Sequence, residues 1–183
     1  MIGLLALSAL PARAQTPPAG GDPFAAGRWH FEVEGVAAVE AWNYNISHEE
    51  IYGLSQGVTY GVGKGLVVRA NQRFAYVSQR SEDAILLGLT IGVRGRVYQR
   101  GRVSAFLQGD AGISHTAVAT PPRGTRFNYV AGGGGGVMVG IRPRLHLVGT
   151  LQVIHISNAG IKGPGRNPDI EAFGPSIGII MAF

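Results

Sequence analysis

The sequence predicts an all-β chain of eight antiparallel strands closed into a transmembrane barrel, and three observations predict it. Apolar residues recur at every second position through most of the chain, short turns alternate with longer polar loops, and no apolar stretch reaches the ~18 residues of a membrane-spanning helix. The 183 residues, 45% hydrophobic and 15% charged, suit one domain with an ordinary core. Glycine, at 29 residues, is about twice its usual share but follows no G-X-Y period, which excludes collagen-like and disordered classes. The absence of cysteine excludes disulfide frameworks, cysteine-based zinc sites and thiol nucleophiles. The net charge of +5 is spread over turns and loops with no dense basic run, so no nucleic-acid partner is expected, whereas an anionic lipid surface would suit it.

In chain order, Met1 to Leu10 is a short apolar run, and Ala12-Arg13-Ala14 has the small-x-small form of a signal-peptidase site. Residues 1–14 are therefore expected to be a signal peptide whose start lies inside a longer one, because no charged segment precedes Ile2. Residues 15–27, rich in Pro, Gly and Ala, read as a flexible leader, and 28–183 as the barrel domain. Period two runs from Arg28 onward and is strongest at Ala84 to Val97, where Ile85, Leu87, Leu89, Ile91 and Val93 share one face. The opposite face there carries Gly88, Thr90, Gly92, Arg94 and Arg96. The same split places strands near 28–40, 50–62, 65–79, 83–98, 102–117, 125–141, 144–157 and 170–183. Tight turns are expected at Gly63-Lys64-Gly65, Arg100-Gly101 and Arg142-Pro143-Arg144, and longer loops at 42–49, 79–83, 119–124 and 158–169.

A soluble eight-stranded barrel would carry the apolar face inward around a ligand and its charges outside. Here one face is almost uniformly apolar while the other mixes Gly with Arg, Glu, Asp, Asn and Gln, as a filled polar lumen would. The last strand closes on Phe183 after alternating Ile177, Ile179 and Met181, which resembles the terminal signal of the bacterial outer-membrane assembly machinery. The expected location is therefore the bacterial outer membrane, with short turns periplasmic. Gly132 to Gly136 is no phosphate loop, since neither Lys-Ser/Thr nor a helix follows; it reads as a kink or as room for bulky neighbours in a narrow lumen.

One segment carries chemistry. His155 and Ser157 lie two residues apart on strand seven, about 7 Å apart at the backbone, so both leave the face that holds Leu151 and Val153. Glu171 on strand eight shares its face with Phe173 and Ile177. Three polar groups of complementary type thus project from neighbouring strands toward lipid, where such groups are costly away from the interface.

The run His155-Ile156-Ser157-Asn158-Ala159-Gly160, followed by Asn167-Pro168-Asp169-Ile170-Glu171, resembles the active-site signature of the lipid A 3-O-deacylase family, the PagL-type acyl hydrolases of the outer membrane. The resemblance implies a serine esterase with Ser157 as nucleophile, His155 as base and Glu171 as orienting acid, acting on lipid A of lipopolysaccharide from the outer leaflet. It further implies Asn158, Asn167 and the Gly160 amide as oxyanion donors. The segment Gly163 to Arg166 is longer than the family's loop, which leaves the acid's register less secure than the His-Ser pair. Arg123, Arg126, Lys162 and Arg166 are candidates for the lipid A phosphates, with plain solvation as the alternative. His30, His48, His115 and His146 form no metal-spaced set, so neither metal nor other cofactor is expected. A homodimer is left open, and the alternative function is a non-enzymatic barrel, an adhesin or structural protein, whose rim residues merely solvate.

Overall fold

The computed structural model describes residues 21–42, 48–163, 165 and 167–183. The expected signal peptide and the first part of the leader lie outside them. Eight strands, β1 (Trp29–Glu40), β2 (Glu50–Gly63), β3 (Leu66–Ser78), β4 (Ala84–Arg100), β5 (Val103–Thr120), β6 (Thr125–Arg142), β7 (Leu145–Ser157) and β8 (Ile170–Ala182), follow one another around a closed barrel. Every neighbouring pair is antiparallel, and β8 returns to β1, so no edge is left open.

Strand parity matches the sequence pattern. Outward positions are mostly apolar, with Ile91 69% and Ile177 65% exposed, so the surface that would be buried in a soluble protein faces the surroundings. Three register shifts fall near the turn end, at Gly61/Gly63, Arg96/Tyr98 and Gly140/Arg142, and another at the loop end, at His115/Thr120. The second of these turns Val97 and Tyr98 outward together. The connection expected as a longer loop at 119–124 is a four-residue turn, because β5 continues to Thr120. Pro175 sits opposite Leu151 of β7, while the pairing with β1 skips it between Val36↔Ser176 and Val39↔Phe173. The ladder thus lapses on one side of the residue that has no N–H to give.

With apolar clusters on either side of it, the charged network of the lumen lies in its middle. There Arg94 reaches Glu32 (2.7 Å), Glu34 (3.1 Å) and Gln108 (2.7 Å), Arg69 bonds Glu32 and Glu34, and Arg73 holds Asp110 at 2.7 Å. Toward the loop end lies an apolar cluster that includes Ile51, Val77, Leu86, Ile154, Ile156 and Ile170. Toward the turn end Phe24 packs with Val67, Phe106, Met138, Val148 and Ile180. Residues 21–25, which fall within the segment read from composition as a flexible leader, are therefore packed: Asp22 accepts from Arg96 at 2.9 Å, and the Arg96 guanidinium lies 4.8 Å over the Phe24 ring. The glycine run meets the second of its two expected uses. A Cβ on Gly136 would stand 2.6 Å from Phe106 Cζ, so this inward glycine of β6 makes room for the aromatic ring of β5.

Candidate active site

β7 and β8 are neighbours in register, with His155 directly opposite Glu171, and on the other side Ser157 stands opposite Tyr129 of β6. The period of two then puts His155, Ser157 and Glu171 on the outward side at the loop end, as the parity argument expected. His155 Nε2 and Ser157 Oγ are 2.9 Å apart. His155 Nδ1 is 3.7 Å from Glu171 Oε1, an ion-pair distance wider than a hydrogen bond. With the Nδ1 proton turned toward Glu171, Nε2 is the acceptor for the Ser157 hydroxyl. Ser157 is only 7% exposed, whereas the side chains of His155 and Glu171 are 37% and 42% exposed.

The chain leaves β7 through a sharp turn. Ala159 and Gly160 both have positive φ, 52° and 73°, a conformation that glycine adopts without strain. The Gly160 N–H donates to Asn158 Oδ1 at 3.0 Å, and the Asn158 N–H donates to Asn167 Oδ1 at 3.1 Å. The Gly160 amide, expected among the oxyanion donors, is thus engaged within the turn. Both asparagines use their side-chain oxygens to hold the loop.

The remaining candidates are dispersed. Arg123 lies in the β5–β6 turn with φ 69°, Arg126 near the start of β6 and Lys162 in the β7–β8 loop, all exposed; no ion pair joins them among the described residues. Arg166 lies outside the described residues. His155, Asp169 and Glu171 place one donor atom each within 4.8 Å of one another, a set that could hold a cation as well as orient an imidazole.

Three features were not read from the sequence. Glu40, buried at the end of β1, accepts the Glu171 N–H at 2.8 Å, while Ala41 N–H donates to the Glu171 carbonyl at 2.9 Å, so the acid is pinned where β1 leaves the barrel. Its signal was an inward acidic residue at a strand end. Tyr129 stands beside Ser157 and packs edge-on against Phe127, 5.8 Å between ring centres. Below it, outward β6 positions are Ala131, Gly133 and Gly135, opposite His155, Val153 and Leu151 of β7. A shallow track of small residues therefore runs from Ser157 toward the membrane centre, with the Leu107 side chain lying against its Gly135 end. A Cβ on Gly133 would meet nothing nearer than 3.7 Å, so packing does not require glycine there.

No protein-family model matches the chain, and no curated protein sequence does. Solved structures do. Neisserial surface protein A (NspA) superposes with a TM-score of 0.67 at 12% identity over 85% of this chain and 97% of its own. The outer membrane enzyme PagL gives 0.59 at 16% identity, covering 80% of this chain and 97% of its own. OprG, an outer membrane protein of Pseudomonas aeruginosa, gives 0.57 at 11% identity, covering 88% and 98%. The fold is that of the small outer-membrane β-barrels. At these identities the likeness speaks for architecture and for resemblance to bacterial outer-membrane proteins.

Proposed function

We propose that this chain is an outer-membrane esterase that removes the 3-O-linked acyl chain of lipid A. The observation that carries the proposal is the 2.9 Å contact between Ser157 Oγ and His155 Nε2, with Glu171 on the far side of the imidazole, on a surface that otherwise meets lipid. The His155-to-Gly160 signature supports the same reading, and PagL shares the fold.

In the proposed reaction Ser157 Oγ attacks the ester carbonyl carbon while its proton passes to His155 Nε2. The Nδ2 groups of Asn158 and Asn167 are the assigned donors to the resulting oxyanion. The tetrahedral species collapses by breaking the bond to the sugar 3-oxygen, which takes the proton from His155 and leaves the acyl group on Ser157. Water then attacks the acyl carbonyl, giving its proton to His155, and the fatty acid departs as the proton returns to Ser157. Glu171 keeps the ring oriented and stabilises its charge. The track at Ala131, Gly133 and Gly135 lets the acyl chain lie along the barrel wall. About 20 Å of strand separates Ser157 from Leu151, opposite Gly135, enough for a long saturated chain.

The competing reading, a non-enzymatic barrel, fits the NspA and OprG folds equally well. Mass spectrometry of lipid A from cells producing the protein separates the two. The proposal expects loss of one acyl chain with the intact protein and none with Ser157→Ala; fully acylated lipid A beside a folded intact barrel would overturn it.

A further inference from the structure

Charge divides unequally between the two ends of this barrel. At the loop end, Arg80, Arg123, Arg126 and Lys162 are interspersed with Glu50, Glu82, Asp83, Asp169 and Glu171. At the turn end the exposed charged side chains among the described residues are Arg28, Lys64, Arg100, Arg102, Arg142 and Arg144, all basic. The acid at that end, Asp22, is paired with Arg96 at 2.9 Å. Glu32, Glu34 and Asp110 are buried in the lumen belt and cannot offset the rim.

The depth of this rim follows from its neighbours. Trp29, Tyr60 and Tyr98 form part of an aromatic belt, with the Trp29 and Tyr60 rings 4.8 Å apart, and such belts mark the edge of the hydrocarbon. Arg28 precedes Trp29 by one residue, Lys64 follows Tyr60 by four, and Arg100 follows Tyr98 by two. The cations therefore lie just beyond the belt, at the level of lipid phosphates. Arg144 belongs beside Trp29 too: its Nη2 donates to the Ala182 carbonyl at 3.1 Å, and Ala182 pairs with His30.

We propose that the turn-end rim is a binding surface for anionic phospholipid headgroups, which it recognises through a ring of guanidinium and ammonium groups that have no acidic partner among the described residues, holding this end of the barrel against the periplasmic leaflet. Zwitterionic headgroups offer the same phosphate with a compensating ammonium, so the surface discriminates by net charge. The proposal is independent of the esterase reading.

Trp29 is a built-in reporter. In a Trp42→Phe barrel, which leaves Trp29 as the sole tryptophan, fluorescence is measured in phosphatidylcholine vesicles containing either brominated phosphatidylglycerol or brominated phosphatidylcholine. At low salt the brominated anionic lipid is expected to associate about threefold or more favourably near Trp29, and about 0.5 M salt to remove the preference. Lys64→Gln with Arg144→Gln should erase it, Arg144→Lys should retain it, and Arg123→Gln with Lys162→Gln at the far end should leave it unchanged. Equal quenching by the two lipids at low salt, or a preference that survives both salt and the Lys64/Arg144 double substitution, would overturn the proposal. The salt arm uses the barrel with its basic rim unaltered and decides the matter even if the double variant fails to fold.

Discussion

In the lumen, Arg69 and Arg94 meet Glu32 and Glu34 with every partner almost wholly buried, and Arg94 also lies 4.5 Å over the Phe106 ring. At the outer rim, His155 and Glu171 stand 3.7 Å apart with more than a third of each side chain open to the surroundings. The inner groups neutralise one another, and their desolvation is tolerated because each of these four charges has two opposite partners. The outer groups are loosely held, gain little as an ion pair and leave room for a third molecule. Polar residues of similar type thus serve cohesion inside the barrel and are available for chemistry outside it.

Substitutions can break that contrast from either side. The largest expected effect is on Ser157→Ala, which should lower ester hydrolysis at least about 10³-fold while the heat-modifiable folded band on gels stays unchanged. Arg94→Met should do the reverse. It strands Glu32 and Glu34 in the lumen with Arg69 alone, and urea unfolding in lipid vesicles should show a loss of about 3–5 kcal/mol, with hydrolysis per folded barrel preserved. Glu171→Ala is expected to reduce turnover about 10²-fold, less than loss of the nucleophile, and Asp169→Ala to have little effect. A fully active Glu171→Ala beside an inactive Asp169→Ala would move the acid's role across the loop. Among neutral residues, Gly133→Leu on the outward track should fold normally and slow cleavage of long-chain esters by about tenfold or more, with short-chain esters spared. Thr150→Val, facing the lumen, should change neither; loss of activity there would mean that the substrate enters through the barrel.

The architecture was legible because a closed barrel writes its parity into every strand: Ile85 through Val93 alternate with residues that do face inward, and Gly63-Lys64-Gly65 does turn. The His155–Ser157 contact was legible for the same reason, since two residues apart on one strand fixes both direction and spacing. What the sequence hid depends on contacts across the barrel. Phe24 is a lone aromatic in a Pro/Gly/Ala-rich segment, and only closure of the lumen creates the apolar seat it fills. Glu40 lies 131 residues from the backbone it holds, and nothing local marks it as a partner of Glu171. The length of β5 was underestimated because Ala117, Val118 and Ala119 lack clear alternation, and pairing resumes only at Thr120↔Thr125. The engagement of the Gly160 amide was not legible either, because it depends on the asparagine two residues earlier closing a turn on it.

The contrast between a charge-paired lumen and a reactive rim is tested most directly by covalent labelling. The folded barrel in lipid vesicles is exposed to a long-chain alkyl fluorophosphonate, and the peptide containing Ser157 is weighed. The expected result is one adduct on Ser157 in the intact protein, and none when His155→Asn removes the base. A folded barrel whose Ser157 stays unmodified under conditions that label a known serine esterase would contradict the assignment of this rim as a catalytic site.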